Sequence, residues 1–64
     1  MLTMLKILRK KKRLTQRALA DALHISQTSV SKYERGESEP DIEMLIKMSD
    51  FFEVTVDEFV RGEK

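Results

Sequence analysis

The stretch Gln16–Arg35, QRALADALHISQTSVSKYER, constrains the fold more than any other part of the chain. Leu19 and Leu23 repeat at a four-residue step behind Thr15, a hydroxyl residue suited to capping. The spacing predicts a short amphipathic helix over 16–23. Ala20 is small enough to sit where a second helix crosses closely. His24-Ile25 reads as a tight bend, with Ile25 plugging it, and Ser26 as the cap of a second helix over 27–34. Val30 and Tyr33 are the inward positions of that helix. Gln27, Thr28, Ser31 and Lys32 fall on its outward side. A helix built only for solubility carries Glu and Lys pairs. This one carries amides and hydroxyls, which donate and accept, as the base edges of a major groove require.

The rest of the chain reads as support for these two helices. A first helix is predicted over 4–12, capped by Thr3, with Leu2, Leu5 and Leu8 as its apolar stripe and Met4 and Ile7 off that stripe. Lys10, Lys11 and Lys12 fall in its last turn. Cations suit a helix C-terminus, and they equally suit a rim facing phosphates. Arg13-Leu14 forms the connection. Arg17 opens the second helix, where a cation opposes the helix dipole; a phosphate docked at that N-terminus would resolve the conflict. Gly36 is placed to end the third helix, and Glu37-Ser38-Glu39-Pro40 is a loop. Asp41 caps a fourth helix over 42–52, whose apolar residues Ile42, Leu45, Ile46, Met48, Phe51 and Phe52 span an arc wide enough to be largely buried. Thr55 and Glu58 form a capping box for a fifth helix over 56–61, carrying Phe59 and Val60 and ended by Gly62. Strand-period alternation persists nowhere. The expectation is one all-α domain, residues 1–64, with five helices.

Composition narrows the function. The chain has 64 residues, no cysteine and one histidine, so thiolate metal sites are excluded and His24 alone builds no zinc site. No nucleophile–base pair or phosphate-cradling glycine loop is present, so no enzyme is expected, and no cofactor, metal or small-molecule ligand. No apolar run approaches the ~18 residues that span a membrane. In MLTMLKILRKKK the charges follow the apolar part, the reverse of a secretory signal, so a cytoplasmic location is expected. The net charge of +1 conceals an asymmetry. Residues 1–35 hold nine bases and two acids, net +7; residues 36–64 hold three bases and nine acids, net −6. Such polarity suits a chain that turns its first half toward a polyanion, though a solubilising surface of uneven sign is the plainer reading.

Taken together, the chain resembles the phage repressor and Cro-like (Xre-type) helix-turn-helix family. The residues that carry the resemblance are Leu5-x-x-Leu8-Arg9, Leu14-Thr15-Gln16-x-x-Leu19-Ala20-x-x-Leu23 and Ile25-Ser26-Gln27-x-x-Val30-Ser31-x-Tyr33-Glu34-Arg35-Gly36. Pro40-Asp41 and Phe52-x-Val54-x-Val56-Asp57-Glu58 extend it. The resemblance implies a compact five-helix bundle of the lambda-repressor-like type, with the helix-turn-helix at helices 2 and 3 and helix 3 in the major groove. It implies base contacts from Gln27 and Thr28, then Lys32. Gln16 would bind backbone phosphate and steady the first reading residue, and Arg35 with the N–H groups near Gly36 would hold a second phosphate. Arg9 and Glu34 would form a structural ion pair. The family often has glycine where this chain has Arg13, His24 and Glu53, and often a basic loop where it has Glu37 and Glu39.

The expected function is sequence-specific binding of double-stranded DNA by a transcriptional regulator, with repression as the default output. Gln27, Thr28, Ser31 and Lys32 would read bases. Gln16, Arg17, Arg35, Ser26, Lys10 and Arg13 would contact phosphates. A homodimer would span a pseudo-palindromic operator, meeting through the apolar stretch Phe52, Val54, Val56, Phe59 and Val60. The resemblance places such a protein in a bacterial or phage-encoded, nucleoid-associated setting. Two other readings compete. One is a protein-interaction module, favoured by acidic Glu37 and Glu39. The other makes helix 1 a basic membrane-surface helix, although its leucine stripe is better spent on a core.

Overall fold

Helices in this chain begin where the sequence supplies a capping oxygen. Thr15, Ser26, Asp41 and Thr55 are extended, and their side chains accept from the N–H groups of Ala18, Ser29, Met44 and Glu58. Each such bond satisfies an amide that a helix start leaves open and contributes about 1 kcal/mol. Glu58 returns the bond to the Thr55 N–H at 3.0 Å, completing the capping box. The structure, a computed structural model, describes residues 3–62. It contains α1 (Thr3–Lys11), α2 (Gln16–Leu23), α3 (Gln27–Arg35), α4 (Ile42–Phe52) and α5 (Val56–Arg61). No strand occurs among the described residues, and none of their helices is long and apolar enough to cross a membrane. Leu2 and the expected capping side chain of Thr3 lie outside the description.

The helix ends share one backbone device. Arg13, His24, Gly36 and Glu53 all take positive φ, from 58° to 75°. Beyond each, an N–H reaches back five residues: Leu14 to Arg9, Ile25 to Ala20, Glu37 to Lys32 and Val54 to Ser49, at 2.9–3.1 Å. This double closure satisfies the last carbonyls and turns the next side chain toward the helix it has just left. Leu14, Ile25 and Val54 accordingly pack half-buried against the core, while Glu37 stays exposed. Three of the four turns lack glycine, at about 1 kcal/mol each. The Arg13 turn stops α1 one residue earlier than periodicity predicts, and the Lys12 ammonium then lies 5.5 Å from the centre of the Phe51 ring. Gly36 lets α3 run one residue further, to Arg35.

Every helix contributes to one core. Leu5 comes from α1, Leu19, Ala20 and Leu23 from α2, Val30 from α3, Met48 and Phe52 from α4, and Phe59 from α5. Helices α2 and α3 form the most extensive pairing, with Ala20 fully buried. A larger side chain at Ala20 would force them apart, at about 1–3 kcal/mol. Two expectations need correction. Helix α4 is not largely buried: Ile42 and Ile46 are 74% and 46% exposed. Its apolar arc exceeds what four short neighbours can cover, and the stripe at this i, i+4 pair faces away from them. Phe52 and Phe59 are withdrawn from any dimer surface, because they stack on each other inside the core with centroids 6.2 Å apart. Of the expected dimer residues, Val56 and Val60 remain 36% and 48% exposed, with Val54 half-buried.

Candidate nucleic-acid interface

The polar helix α3 buries only Val30, so side-chain bonds must hold it as well. Its penultimate residue, Glu34, keeps just 4% of its side chain exposed. Arg9 Nε donates to Glu34 Oε2 at 2.6 Å and Arg9 Nη2 to Oε1 at 3.3 Å, a two-pronged contact. The remaining arm, Nη1, donates to the Leu14 carbonyl at 2.7 Å. Gln16 Nε2 donates to Glu34 Oε1 at 2.9 Å. One carboxylate therefore joins the end of α1, the start of α2 and the end of α3. Burial pushes its pKa up, but the hydrogen bonds from Arg9 and Gln16 and the charges of Arg9 and Lys6 prevail. The group is held below its ordinary value of 4.5. Among the described residues, no buried side-chain nitrogen or oxygen lacks a partner.

The other end of α3 is open. Ser26 Oγ accepts from the Ser29 N–H at 3.1 Å and lies 3.0 Å from Ser29 Oγ, so its hydroxyl serves the cap. Gln27 and Thr28 occupy the exposed first turn. Residues 28, 31 and 35 share one helix face, and Gln16 stands across from them at the start of α2. Gln16, Gln27, Thr28, Ser31 and Arg35 together line an open depression of about 320 Å³. The lining holds amides, hydroxyls and a guanidinium and no apolar residue, unlike the usual small-molecule cleft. Lys32, Ser26, Arg17, Lys10 and Arg13 are exposed and lie outside this lining. Gln16 is thus shared between the anchor at Glu34 and the rim of the depression.

Two contacts escaped sequence reading. Arg35 Nε donates to Glu37 Oε2 at 2.7 Å and Nη2 to Oε1 at 3.3 Å, while Nη1 donates to Ser31 Oγ. Through the hydrogen bond and the charge attraction, Arg35 is raised above, and Glu37 lowered below, its ordinary pKa. The signal available was a pair of opposite charges spaced across Gly36. The second contact is Lys47, whose Nζ donates to the Leu23 carbonyl at 2.7 Å. A cation at the last carbonyl of α2 complements the helix dipole and ties α4 to the bend. The only sign in sequence was a lone base between Gly36 and Arg61.

The family described as helix-turn-helix matches residues 5–59 of the chain. The HTH-type transcriptional activator BcrR of Enterococcus faecalis is 47% identical over 57 residues, which cover 89% of this chain and 28% of that protein. The uncharacterized HTH-type transcriptional regulator YqaE of Bacillus subtilis is 42% identical over 59 residues, 92% of this chain and 51% of its own length. The cryptic phage CTXphi transcriptional repressor RstR of Vibrio cholerae is 48% identical over 44 residues, 69% of this chain and 39% of its own length. The chain spans about half the length of these relatives, or less. No solved structure matches it. With that match running from α1 into α5, and with two capped helices meeting at the left-handed His24 bend, the chain belongs to the Xre-type helix-turn-helix family.

Proposed function

We propose that the chain binds double-stranded DNA with α3 in the major groove and regulates transcription from the site it occupies. The observation that carries this reading is the shared depression of Gln16, Gln27, Thr28, Ser31 and Arg35. Its amides, hydroxyls and guanidinium are the groups that base edges and phosphates call for, gathered on one open surface of α2 and α3. Gln27 suits the paired donor and acceptor of an adenine edge, and Thr28 a thymine methyl. Lys32 reaches a guanine or a phosphate one turn further on. Gln16, Arg17, Ser26, Lys10 and Arg13 supply the sequence-independent part, which fixes register without reading it, and Arg35 joins them once it leaves Glu37. Occupancy of a promoter suffices for repression, so repression is the simplest output. The relatives include one named an activator and one named a repressor.

Two copies would place their α3 helices in half-sites about 34 Å apart on a pseudo-palindromic operator. Val56 and Val60 are the exposed part of the pairing surface. They offer far less than the ~1,000 Å² of a standing interface, so the homodimer forms on DNA rather than before it. Anisotropy titration of a mixed-sequence duplex tests the proposal. Binding should weaken steeply with salt, with log K falling by about 0.9 per decade of salt for each phosphate neutralised. If no duplex is bound at low salt, the reading is discarded.

A further inference from the structure

We propose that Glu37 tunes specificity by occupying Arg35 in place of a DNA phosphate. The inference rests on the DNA-binding reading above. A guanidinium grips a carboxylate and a phosphate in the same two-pronged way. Arg35 already makes that grip on Glu37, through Nε at 2.7 Å and Nη2 at 3.3 Å, and its third arm is tied to Ser31. All three contacts lie at the edge of the depression that holds Gln27 and Thr28.

The backbone, rather than the ion pair alone, brings Glu37 there. Gly36 takes φ 75° and the Glu37 N–H bonds to the Lys32 carbonyl at 2.9 Å. At the three equivalent turns this position holds Leu14, Ile25 or Val54, each folded back against its helix and the core. Here the same geometry folds a carboxylate back over the last turn of α3. The turn fixes the direction of the Glu37 Cβ, so the carboxylate starts close to Arg35, and with both side chains 54% exposed the pair is a modest competitor to a phosphate. The raised pKa of Arg35 and the lowered pKa of Glu37 accord with it. Sequence-independent affinity comes from phosphate neutralisation. With Arg35 engaged internally, base contacts by Gln27 and Thr28 supply a larger share of what holds the complex.

The test uses a mixed-sequence duplex and anisotropy across a salt series. Glu37→Gln should bind about two- to fivefold more tightly, the range an exposed ion pair supports. Its salt slope should steepen by about 0.9, one added phosphate contact. Glu39→Gln is the charge control, since Glu39 takes part in no ion pair among the described residues; it should gain much less. In an Arg35→Ala background the Glu37→Gln gain should vanish. Equal gains from the two loop variants, or an undiminished gain without Arg35, would reduce Glu37 to bulk charge and overturn the assignment. A wild-type chain that binds duplex while Glu37→Gln matches it overturns the assignment alone. A wild-type chain that binds no duplex at low salt removes the DNA reading as well.

Discussion

The two ends of α3 differ more than their nine residues suggest. At the C-terminal end, Glu34 is buried and takes bonds from two other helices. At the N-terminal end, Gln27 and Thr28 stand exposed beyond a serine cap. A reading helix needs both conditions at once. Its free end must offer unsatisfied donors and acceptors, which contribute little to folding. Its anchored end must then hold the free end in register, because one buried valine and a half-buried tyrosine give so polar a helix little apolar hold. On the proposed DNA reading, the buried carboxylate of Glu34 serves stability, and the base contacts of Gln27 and Thr28 fall to the other end.

The sharpest way to break this division is Glu34→Ala. Removing one partner of a buried pair leaves Arg9 without its charge partner, at a cost of about 3–5 kcal/mol. Urea denaturation should show that loss, enough to unfold much of so small a domain. A midpoint close to wild type would dissolve the distinction between the ends. Acid offers a gentler version. The folded pKa of Glu34 is depressed, so its stabilisation is complete above the unfolded value near 4.5. It is lost as pH falls through the lower folded value. Glu34→Gln should flatten that acid limb; an unaltered limb would mean that other carboxylates set it.

The free end should respond in the opposite manner. Gln27→Ala and Thr28→Ala should leave the melting temperature within a degree or two while costing about 1–3 kcal/mol at one base step of the preferred site. Selection from a randomised duplex library would locate that step. Equal losses on every sequence would show that these residues place the helix rather than read with it.

How far the sequence disclosed this division depends on the distance over which each feature is determined. The caps at Thr15, Ser26, Asp41 and Thr55 are local, since a hydroxyl or carboxylate and an N–H three residues on suffice, and they were legible. The connections at Arg13 and His24 were legible, but the left-handed backbone at Arg13, His24 and Glu53 was hinted at only by the family's glycines, because nothing in those side chains asks for positive φ. Helix α4 misled for the converse reason. Its composition states how much surface prefers burial, whereas the partners available decide how much is buried, and Ile42 and Ile46 stay 74% and 46% exposed. Phe52 and Phe59 looked surplus until the core proved to need both. In the site, exposure of Gln27 and Thr28 followed from helical periodicity. The grip of Glu37 on Arg35 did not, since it depends on how the Gly36 turn aims the following side chain.

The smallest expected effects concern the two turns that bound α3, which share a backbone and differ in residue. His24 takes φ 60° and Gly36 takes φ 75°. Gly36→Ala should therefore cost about 1–2 kcal/mol, the penalty an L residue meets in the left-handed region. His24→Gly should relieve similar strain but also free the unfolded chain, leaving a net gain of roughly 0.5 kcal/mol. Histidine tolerates this region better than most residues, which trims the gain further. Thermal melts of the two variants should move in opposite directions. Were His24→Gly to destabilise instead, the imidazole would have to make a contact that outweighs its strain. The bend between α2 and α3 would then be held by its side chain as well as by the Ile25-to-Ala20 hydrogen bond.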